Sequence, residues 1–168
     1  TKHFYEEGAL LKKVKAPQSA VMSWLRWWFN GFFTKRRFQE EGTCPFYDCV
    51  HKSNDDSQLA LVLAEHEHSQ DSIEHFAHCS ILNWMAKELG FTSEANSSWF
   101  LEFRTNRFGR ARNGRLPNEK EALFDYAVWV NAMYDVHNLL RHAQIPPDTY
   151  PKLIKLMART IHKEIKKK

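Results

Sequence analysis

The segment EKEALFDYAVWVNAMYDVHNLLRHA, residues 119–143, decides the fold class of this chain. Its apolar residues recur at intervals of three and four, which predicts one long helix with an apolar side. Asn118 and Glu121 form a capping-box pattern that starts this helix. The predicted apolar side comprises Leu123, Ala127, Val130 and Tyr134, with the polar Asn138 continuing it.

Helical patterns also lie on both sides of this segment. One helix is predicted to begin near Ser19 and to end at Gly42. A second is predicted from Asp71, acting as the cap with Glu74 at the box position, to Gly90. A last helix starts near Asp148, with Leu153, Met157, Ile161 and Ile165 facing inward. The sequence therefore predicts an all-α fold of four or five helices.

The composition fits a single helical domain over residues 1–168. Hydrophobic residues make up 43% of the chain, and the low numbers of Gly and Pro, six each, disfavour a β-sandwich or barrel. No apolar run approaches the roughly 18 residues that a transmembrane helix needs, so no membrane insertion is expected. The chain begins with Thr rather than Met, which favours an excerpt of a longer polypeptide or a processed product.

Charge is divided into three blocks along the chain. Residues 1–40 carry eight Lys/Arg against three Asp/Glu, a net charge of +5. Residues 41–102 carry two against eleven, a net charge of −9, and residues 103–168 carry fourteen against six, a net charge of +8. This pattern excludes a uniform polyanion binder and indicates basic surfaces at both ends of the chain.

All three cysteines fall in two segments, TCPFYDCVHK at residues 43–52 and QDSIEHFAHC at residues 70–79. Three cysteines cannot pair completely, so reduced thiols or a metal site fit better than a disulfide scaffold. Residues 43–79 are a candidate zinc-binding segment, which would be a zinc-knuckle-like Cys/His insertion within the helical domain.

The spacing of these residues fits zinc ligands. Cys44 and Cys49 are separated by four intervening residues, and His75 and Cys79 lie at i and i+4, where one helix face presents both. Cys3His is a standard tetrahedral set for a closed structural Zn²⁺ site. The alternative is that these residues are small buried thiols and solvated histidines. We rank His78 below His75 as a ligand, and the other substitutes are His51, His66 and His68.

A zinc enzyme is a weaker interpretation of the same residues. A catalytic zinc needs an open coordination position and a nearby acid or base. Glu74 adjoins His75, but the chain lacks the H-x-E…C-x-x-C arrangement of zinc deaminases. We therefore expect a non-catalytic protein.

Two stretches, LRWWFNGFFTKRRFQEEGTCPFYDC and DSIEHFAHC, resemble the zinc-binding region that follows the polymerase domain in LINE-type (non-LTR) retrotransposon reverse transcriptases. The helix YAVWVNAMYDVHNLLRHA is similar to a later helix of that family. The resemblance implies zinc ligation by Cys44, Cys49, His75 and Cys79, and a grip on template RNA or target DNA. The matching positions are Arg26, Asn30, Gly31, Thr34, Arg37, Cys44, Cys49, Asp71, Ser72, Glu74, His75, Cys79, Tyr134, Asn138, Arg141 and His142.

The chain also departs from that family. Residues 50–70 separate the second cysteine from the Asp-Ser element, which the family usually keeps close together. No Tyr-x-Asp-Asp polymerase motif and no endonuclease pattern is present, so this chain is not expected to copy or cut nucleic acid. These departures are compatible with a retroelement domain recruited to another role.

Three basic clusters are candidate nucleic-acid contacts: residues 35–37, the arginine-rich loop at residues 103–117 and the tail at residues 163–168. Guanidinium groups on a flexible Gly/Asn loop can reach successive phosphates and release counterions. The alternative is a solvated surface, which we favour for the basic tail, residues 163–168. The predicted nucleic-acid-binding residues are Lys35, Arg36, Arg37, Arg104, Arg107, Arg110, Arg112 and Arg115.

Together these features predict a zinc-stabilised module that binds the backbone of RNA or DNA. The alternative is a structural subunit of a large ribonucleoprotein assembly, such as an organellar ribosome, in which zinc acts only as a staple. The partners expected are RNA or DNA and other subunits of such a complex. The sequence leaves the compartment open, whether intracellular in general, nuclear or organellar.

Overall fold

The computed structural model describes residues 2–32, 34, 42–51, 70–93, 98–105, 107–142 and 150–167. Within these ranges the chain is all-α, as predicted, but it has eight helices rather than four or five. No helix in the described ranges is both long enough and apolar enough to cross a membrane. The helices are α1 (Lys2–Lys13), α2 (Gln18–Trp28), α3 (Pro45–His51), α4 (Ile73–His78), α5 (Ser80–Glu88), α6 (Trp99–Arg104), α7 (Glu119–His142) and α8 (Tyr150–Ile165).

Helix α7 is the centre of the fold. Every residue from Ala122 to Tyr134 is buried, as are Val136 and His137. Helices α2 and α8 pack against it most extensively, and α1 and α3 also contact it. The predicted apolar side is buried, but so are the other sides, because neighbouring helices surround α7. A helix covered all round must be largely apolar all round, and the sequence of α7 meets that requirement.

Three buried polar side chains on α7 each contact a different part of the chain. Asp125 binds the arginine-rich segment that precedes α7, as described below. Asn131 accepts a hydrogen bond of 2.7 Å from the hydroxyl of Ser23 on α2. His137 lies with its Nε2 atom 2.9 Å from Oδ1 of Asp71, just before α4. Because a buried polar group without a partner is costly, these contacts favour one alignment of each element against α7.

Helix α2 is much shorter than predicted. Asn30, with φ +49°, lies in the left-handed region just after the last turn. The N–H groups of Asn30 and Gly31 donate to the carbonyls of Trp27 and Arg26 respectively, the two bonds of a Schellman motif. The Asn-Gly pair therefore ends the helix, and the prediction that it continues to Gly42 was wrong.

The helix predicted from Asp71 to Gly90 is divided in two. Cys79 has an extended conformation, with φ −60° and ψ 119°, between α4 and α5. The N-cap is Ser72 rather than Asp71, and its hydroxyl accepts from the N–H of His75. Helix α5 ends just before Gly90, as predicted, and this glycine adopts the left-handed φ of +76°. Because of this break, His75 lies within α4, whereas Cys79 lies between the two helices.

Helix α1, which the sequence analysis did not predict, packs beside α2. The ring of Phe4 stacks on Trp24 with centroids 5.0 Å apart. The carboxylate of Glu7 accepts hydrogen bonds from the indoles of Trp24 and Trp28. Trp24 is buried, whereas Trp28 is 39% exposed. Only the first of these two tryptophans is therefore a core residue.

The last helix follows the predicted pattern. Leu153, Met157 and Ile161 are buried against the core, and Ile165 is partly buried. The predicted basic tail, residues 163–168, begins inside this helix, because α8 continues to Ile165 and a turn follows it. The lysine at position 163 is therefore on a helix face rather than in a free tail.

The capping box at the start of α7 is confirmed. The N–H of Glu121 donates to Oδ1 of Asn118, and the N–H of Asn118 donates to the carboxylate of Glu121, both at 3.0 Å. Asn118→Ala is expected to lower the free energy of unfolding by about 1 kcal/mol, because a helix N–H loses its acceptor. Urea denaturation measures this. Asn118→Ser, which retains an acceptor oxygen, should lose much less, and equal losses would contradict the capping role.

Candidate metal centre and arginine segment

The structure brings three of the four predicted metal ligands together. The ligand atoms of Cys44, His75 and Cys79 all lie within 4.8 Å of one another. The two cysteines are fully buried, the imidazole is partly buried and its Nε2 atom is shielded from solvent. Two thiols and an imidazole are ligands that a metal ion can use, so this group is a candidate metal centre.

Backbone contacts position the two halves of the centre. Thr43 and Gln70 form an isolated antiparallel bridge, and the N–H of Asp71 donates to the carbonyl of Gly42 at 3.0 Å. These contacts hold the residues that lead into α3, Gly42 and Thr43, beside those that lead into α4, Gln70 and Asp71. Cys44 immediately precedes α3, and its carbonyl accepts from the N–H of Asp48. The two halves of the centre are thus held side by side, although they are far apart in sequence.

The break between α4 and α5 places the other two ligands. His75 lies within α4, and Cys79 is the extended residue that joins the two helices. The i and i+4 prediction of proximity is confirmed, although both residues were expected on the face of one continuous helix. The extended residue turns the chain at the ligand itself, so α5 departs in a new direction from the centre.

The thiol of Cys44 is in an environment that a bound cation would change. Burial raises its pKa well above the ordinary value, and a hydrogen bond with Cys79 and the charge of that neighbour raise it further. The backbone N–H groups of Phe46 and Tyr47 act in the opposite direction, because they donate to its sulfur. A positive ion beside the sulfurs of Cys44 and Cys79 would stabilise their deprotonated forms. The two backbone N–H groups already stabilise negative charge on the sulfur of Cys44.

The dimensions of the group are close to those of a tetrahedral site. Ligands bound at Zn–S and Zn–N distances of about 2.3 and 2.0–2.1 Å lie roughly 3.5–3.8 Å apart. The observed limit of 4.8 Å is about 1 Å wider. The three residues are therefore close enough together to be candidate ligands of one metal ion.

The remaining histidines and the third cysteine have different positions. Cys49 is buried on α3, but its sulfur is outside the group of mutually close ligand atoms. His78 is exposed, which agrees with its lower rank. The side chain of His51, together with His66 and His68, lies outside the described residues. The structure thus supplies three ligands, with Cys49 nearby in sequence but not in the group.

The sequence analysis missed a buried polar pair that connects this region to the core. Asp71 and His137 are both 0% exposed, and their side chains are 2.9 Å apart. The rings of Phe46 and Phe76 pack around the imidazole, at 6.4 and 5.1 Å between centroids. The pair links the segment that leads to His75 directly to α7. The sequence signal was a histidine within the predicted core helix, but its partner is 66 residues away.

In the arginine segment, residues 103–117, the described residues 107–117 fold against α7. Asp125 is fully buried and receives hydrogen bonds of 2.9 Å from the guanidinium groups of Arg110 and Arg112. Its other oxygen accepts from the backbone N–H of Arg110 at 2.8 Å. Asn113 and Gly114, both with positive φ, make the turn between Arg112 and Arg115. The segment is therefore a structured loop rather than a flexible one.

A third predicted arginine also has an internal partner. Arg115 forms a two-pronged contact with Glu121, with both N···O distances 2.8 Å. This guanidinium is the main cause that lowers the pKa of Glu121 to about 2, with the N–H of Asn118 contributing. The contact connects the end of the arginine segment to the capping box of α7.

The other predicted nucleic-acid contacts are less constrained or undescribed. Arg107 is exposed, and its Nε atom donates to the hydroxyl of Thr105. Arg104 is exposed and lies 3.9 Å from Glu7. Lys35, Arg36 and Arg37 lie outside the described residues. Substitution of Arg110 and Arg112 would disturb the fold, so only Arg104 and Arg107 of this segment are suitable probes of binding.

Comparison of the chain with protein-family models, with curated proteins and with solved structures finds no match. The likeness to LINE-type reverse transcriptases therefore stays a prediction from the quoted residues. Function must be argued from the metal centre and the charged surfaces themselves.

Asp125→Asn tests whether the buried carboxylate holds the arginine segment. The change keeps the side-chain volume but removes the charge that binds Arg110 and Arg112, and we expect a loss of about 2–3 kcal/mol in the free energy of unfolding. Chemical denaturation provides the measurement. The matched control is Glu121→Gln, which removes an exposed ion pair and keeps a capping oxygen. It should change stability little, and a similarly small change in Asp125→Asn would refute the anchoring role.

Proposed function

We propose that the chain is a non-catalytic nucleic-acid-binding module whose helical fold is held by a structural zinc ion. The observation that carries the proposal is the convergence of Cys44, His75 and Cys79 within 4.8 Å in a buried position. Such a site connects the start of α3 to the α4–α5 junction. A metal ion bound there would add its binding free energy to the backbone contacts that already join these two elements.

The donor set favours zinc among the common metals. Thiolate ligands select soft or borderline ions, whereas Mg²⁺ and Ca²⁺ prefer oxygen. Zinc uses Cys and His in closed four-coordinate structural sites, and it performs no redox chemistry there. In the proposal Cys49 is the fourth ligand, as the sequence predicts: it is buried on α3, the helix that begins directly after Cys44, and its sulfur joins the other three ligand atoms only when the ion binds. A fourth protein ligand closes the site to substrate, which is why the module is non-catalytic.

Charge and sequence resemblance support nucleic acid as the partner. Residues 103–168 carry a net charge of +8, and Arg104 and Arg107 are exposed beside the core. Basic side chains that neutralise phosphates displace counterions, which gives affinity without sequence specificity. The likeness to the region after the polymerase domain of LINE-type reverse transcriptases points to the same class of partner.

A second candidate is a structural subunit of a ribonucleoprotein assembly. The observation that favours it is an exposed aromatic cluster around Phe4, whose ring lies 5.4–5.9 Å from those of Tyr5, Trp28 and Phe29. Tyr5 and Phe29 are 69% and 71% exposed. Clustered exposed aromatic rings are typical of protein interfaces. In this alternative zinc only stabilises the fold, and contacts with neighbouring subunits bind the chain to the assembly.

Elemental analysis of the purified chain tests the metal centre. We expect one tightly held zinc ion per chain, lost in Cys79→Ser together with a marked fall in the thermal unfolding temperature, because zinc binding energy is folding energy in such sites. Chelation of zinc from the wild-type protein should produce the same fall. A wild-type chain that binds no metal after reconstitution with Zn²⁺ would overturn the proposal.

Cys49→Ser separates a closed site from an open one. In the proposal this variant loses tight zinc binding, as Cys79→Ser does, because a ligand is removed in each. The matched control is His78→Ala, which removes an exposed histidine three residues from His75 and should keep the metal. Full retention of zinc by Cys49→Ser would mean a fourth position open to water, and the non-catalytic assignment would then be wrong.

Binding to short RNA and DNA duplexes, measured by fluorescence anisotropy at several salt concentrations, tests the nucleic-acid partner. The zinc-loaded chain should bind both with an affinity that falls steeply as salt rises. Absence of binding at low salt by a folded, zinc-loaded chain would reject this partner and leave the structural subunit.

A further inference from the structure

Helix α8 carries a continuous stripe of positive charge that the sequence analysis did not assign to binding. The basic residues recur at intervals of three and four, which places them along one side of the helix. All of them are exposed. This basic stripe consists of Lys152, Lys155, Arg159, His162, Lys163 and Lys166.

The opposite side of α8 belongs to the core. Leu153, Met157 and Ile161 are buried, and α8 packs extensively against α7. The only carboxylate on the helix, Glu164, is also buried and accepts a hydrogen bond from Ser19 on α2. The helix is thus fixed in orientation, and its exposed side contains no acidic residue.

The stripe is not neutralised by its surroundings to the extent that the arginine segment is. In the part of the chain that the structure describes, Lys155, Arg159 and Lys166 form no ion pair. At the C-terminal end of the helix, burial and the charge of Glu164 raise the pKa of Asp135, and Lys167 and Lys163 act in the opposite direction. The central part of the stripe therefore presents its full charge to solvent.

We propose that the basic stripe of α8 is a docking surface for the phosphate backbone of nucleic acid, an inference that rests on the proposed function and locates its interface. The stripe extends over about 20 Å, from Lys152 to Lys166, at the helical rise of 1.5 Å per residue. A nucleic-acid strand presents about six phosphates over that length. The number and spacing of the basic side chains therefore match a strand that runs along the helix.

The same surface is unsuited to an anionic membrane. A basic amphipathic helix binds a bilayer by burying its apolar face among the lipids. On α8 that face is occupied by the protein core, with Leu153 and Met157 fully buried. The stripe offers charge without an apolar anchor, so binding is electrostatic and independent of nucleotide sequence.

The test compares two variants of equal net charge. Lys155→Gln with Arg159→Gln removes the centre of the stripe, and Lys87→Gln with Lys120→Gln removes two exposed lysines on α5 and α7. Glutamine has a helix propensity close to that of Lys and Arg, so both variants should retain the wild-type unfolding temperature. Affinities of the zinc-loaded chains for an RNA and a DNA duplex of about 20 base pairs are measured across salt concentrations.

We expect the stripe variant to bind at least about tenfold more weakly at low salt, with the slope of log K against log salt reduced by roughly two. The control variant should lose little affinity and keep the wild-type slope. Equal losses in the two variants would assign binding to overall charge and overturn the proposal. So would wild-type affinity in the stripe variant, which leaves the proposed function intact but places the interface elsewhere.

Vesicles of phosphatidylcholine with phosphatidylserine provide the competing surface. Wild-type binding to these vesicles but to neither duplex would overturn the stripe as a nucleic-acid surface and identify the membrane as its partner. Absence of binding to both would refute the proposed function itself. Wild-type affinity in the stripe variant contradicts the stripe proposal alone, whereas absence of binding by the wild-type chain contradicts the proposed function. The two proposals can therefore be refuted separately.

Discussion

The burial of α7 on all sides is the constraint on which the rest of the structure depends. A central helix can be covered only if its neighbours supply apolar surface in several directions, and α2, α8, α1 and α3 do so. Apolar packing alone leaves the alignment of these elements loosely specified. Asp125, Asn131 and His137 remove that freedom, since each needs a partner from a different part of the chain. The polar contacts thus specify an arrangement that the hydrophobic effect stabilises.

The same constraint organises the candidate metal centre. The pair of Asp71 with His137 connects the chain just before α4 to the central helix. Backbone contacts at Gly42 and Thr43 place the approach to α3 beside it. Cys44 consequently meets His75 and Cys79 although the intervening segment is long and polar. A metal ion bound there would add a further connection at the periphery of the core, where helices α3 to α5 are short and could not be stable alone.

Positive charge has two different roles in this chain. In the arginine segment it is mostly internal, because Arg110 and Arg112 compensate a buried carboxylate and Arg115 supports the capping box. On α8, Lys155 and Arg159 form no ion pair within the described residues, and the one acidic residue of the helix is turned toward the core.

The sequence by itself determined the all-α class, the capping box of α7, the end of α5 before Gly90, the inward face of α8 and the proximity of His75 to Cys79. These features follow from local periodicity and from hydrogen bonds between residues three or four apart. The early end of α2 was also encoded locally, by Asn30 and Gly31, but the apolar pattern beyond them concealed it.

Only the tertiary structure decided that Asp71 binds His137, that Asp125 occupies two arginines, and that Cys49 lies outside the group formed by the other ligands. These outcomes depend on which elements meet across the core. A single sequence contains no record of such long-range contacts, because the free energy that selects them arises from packing the whole chain.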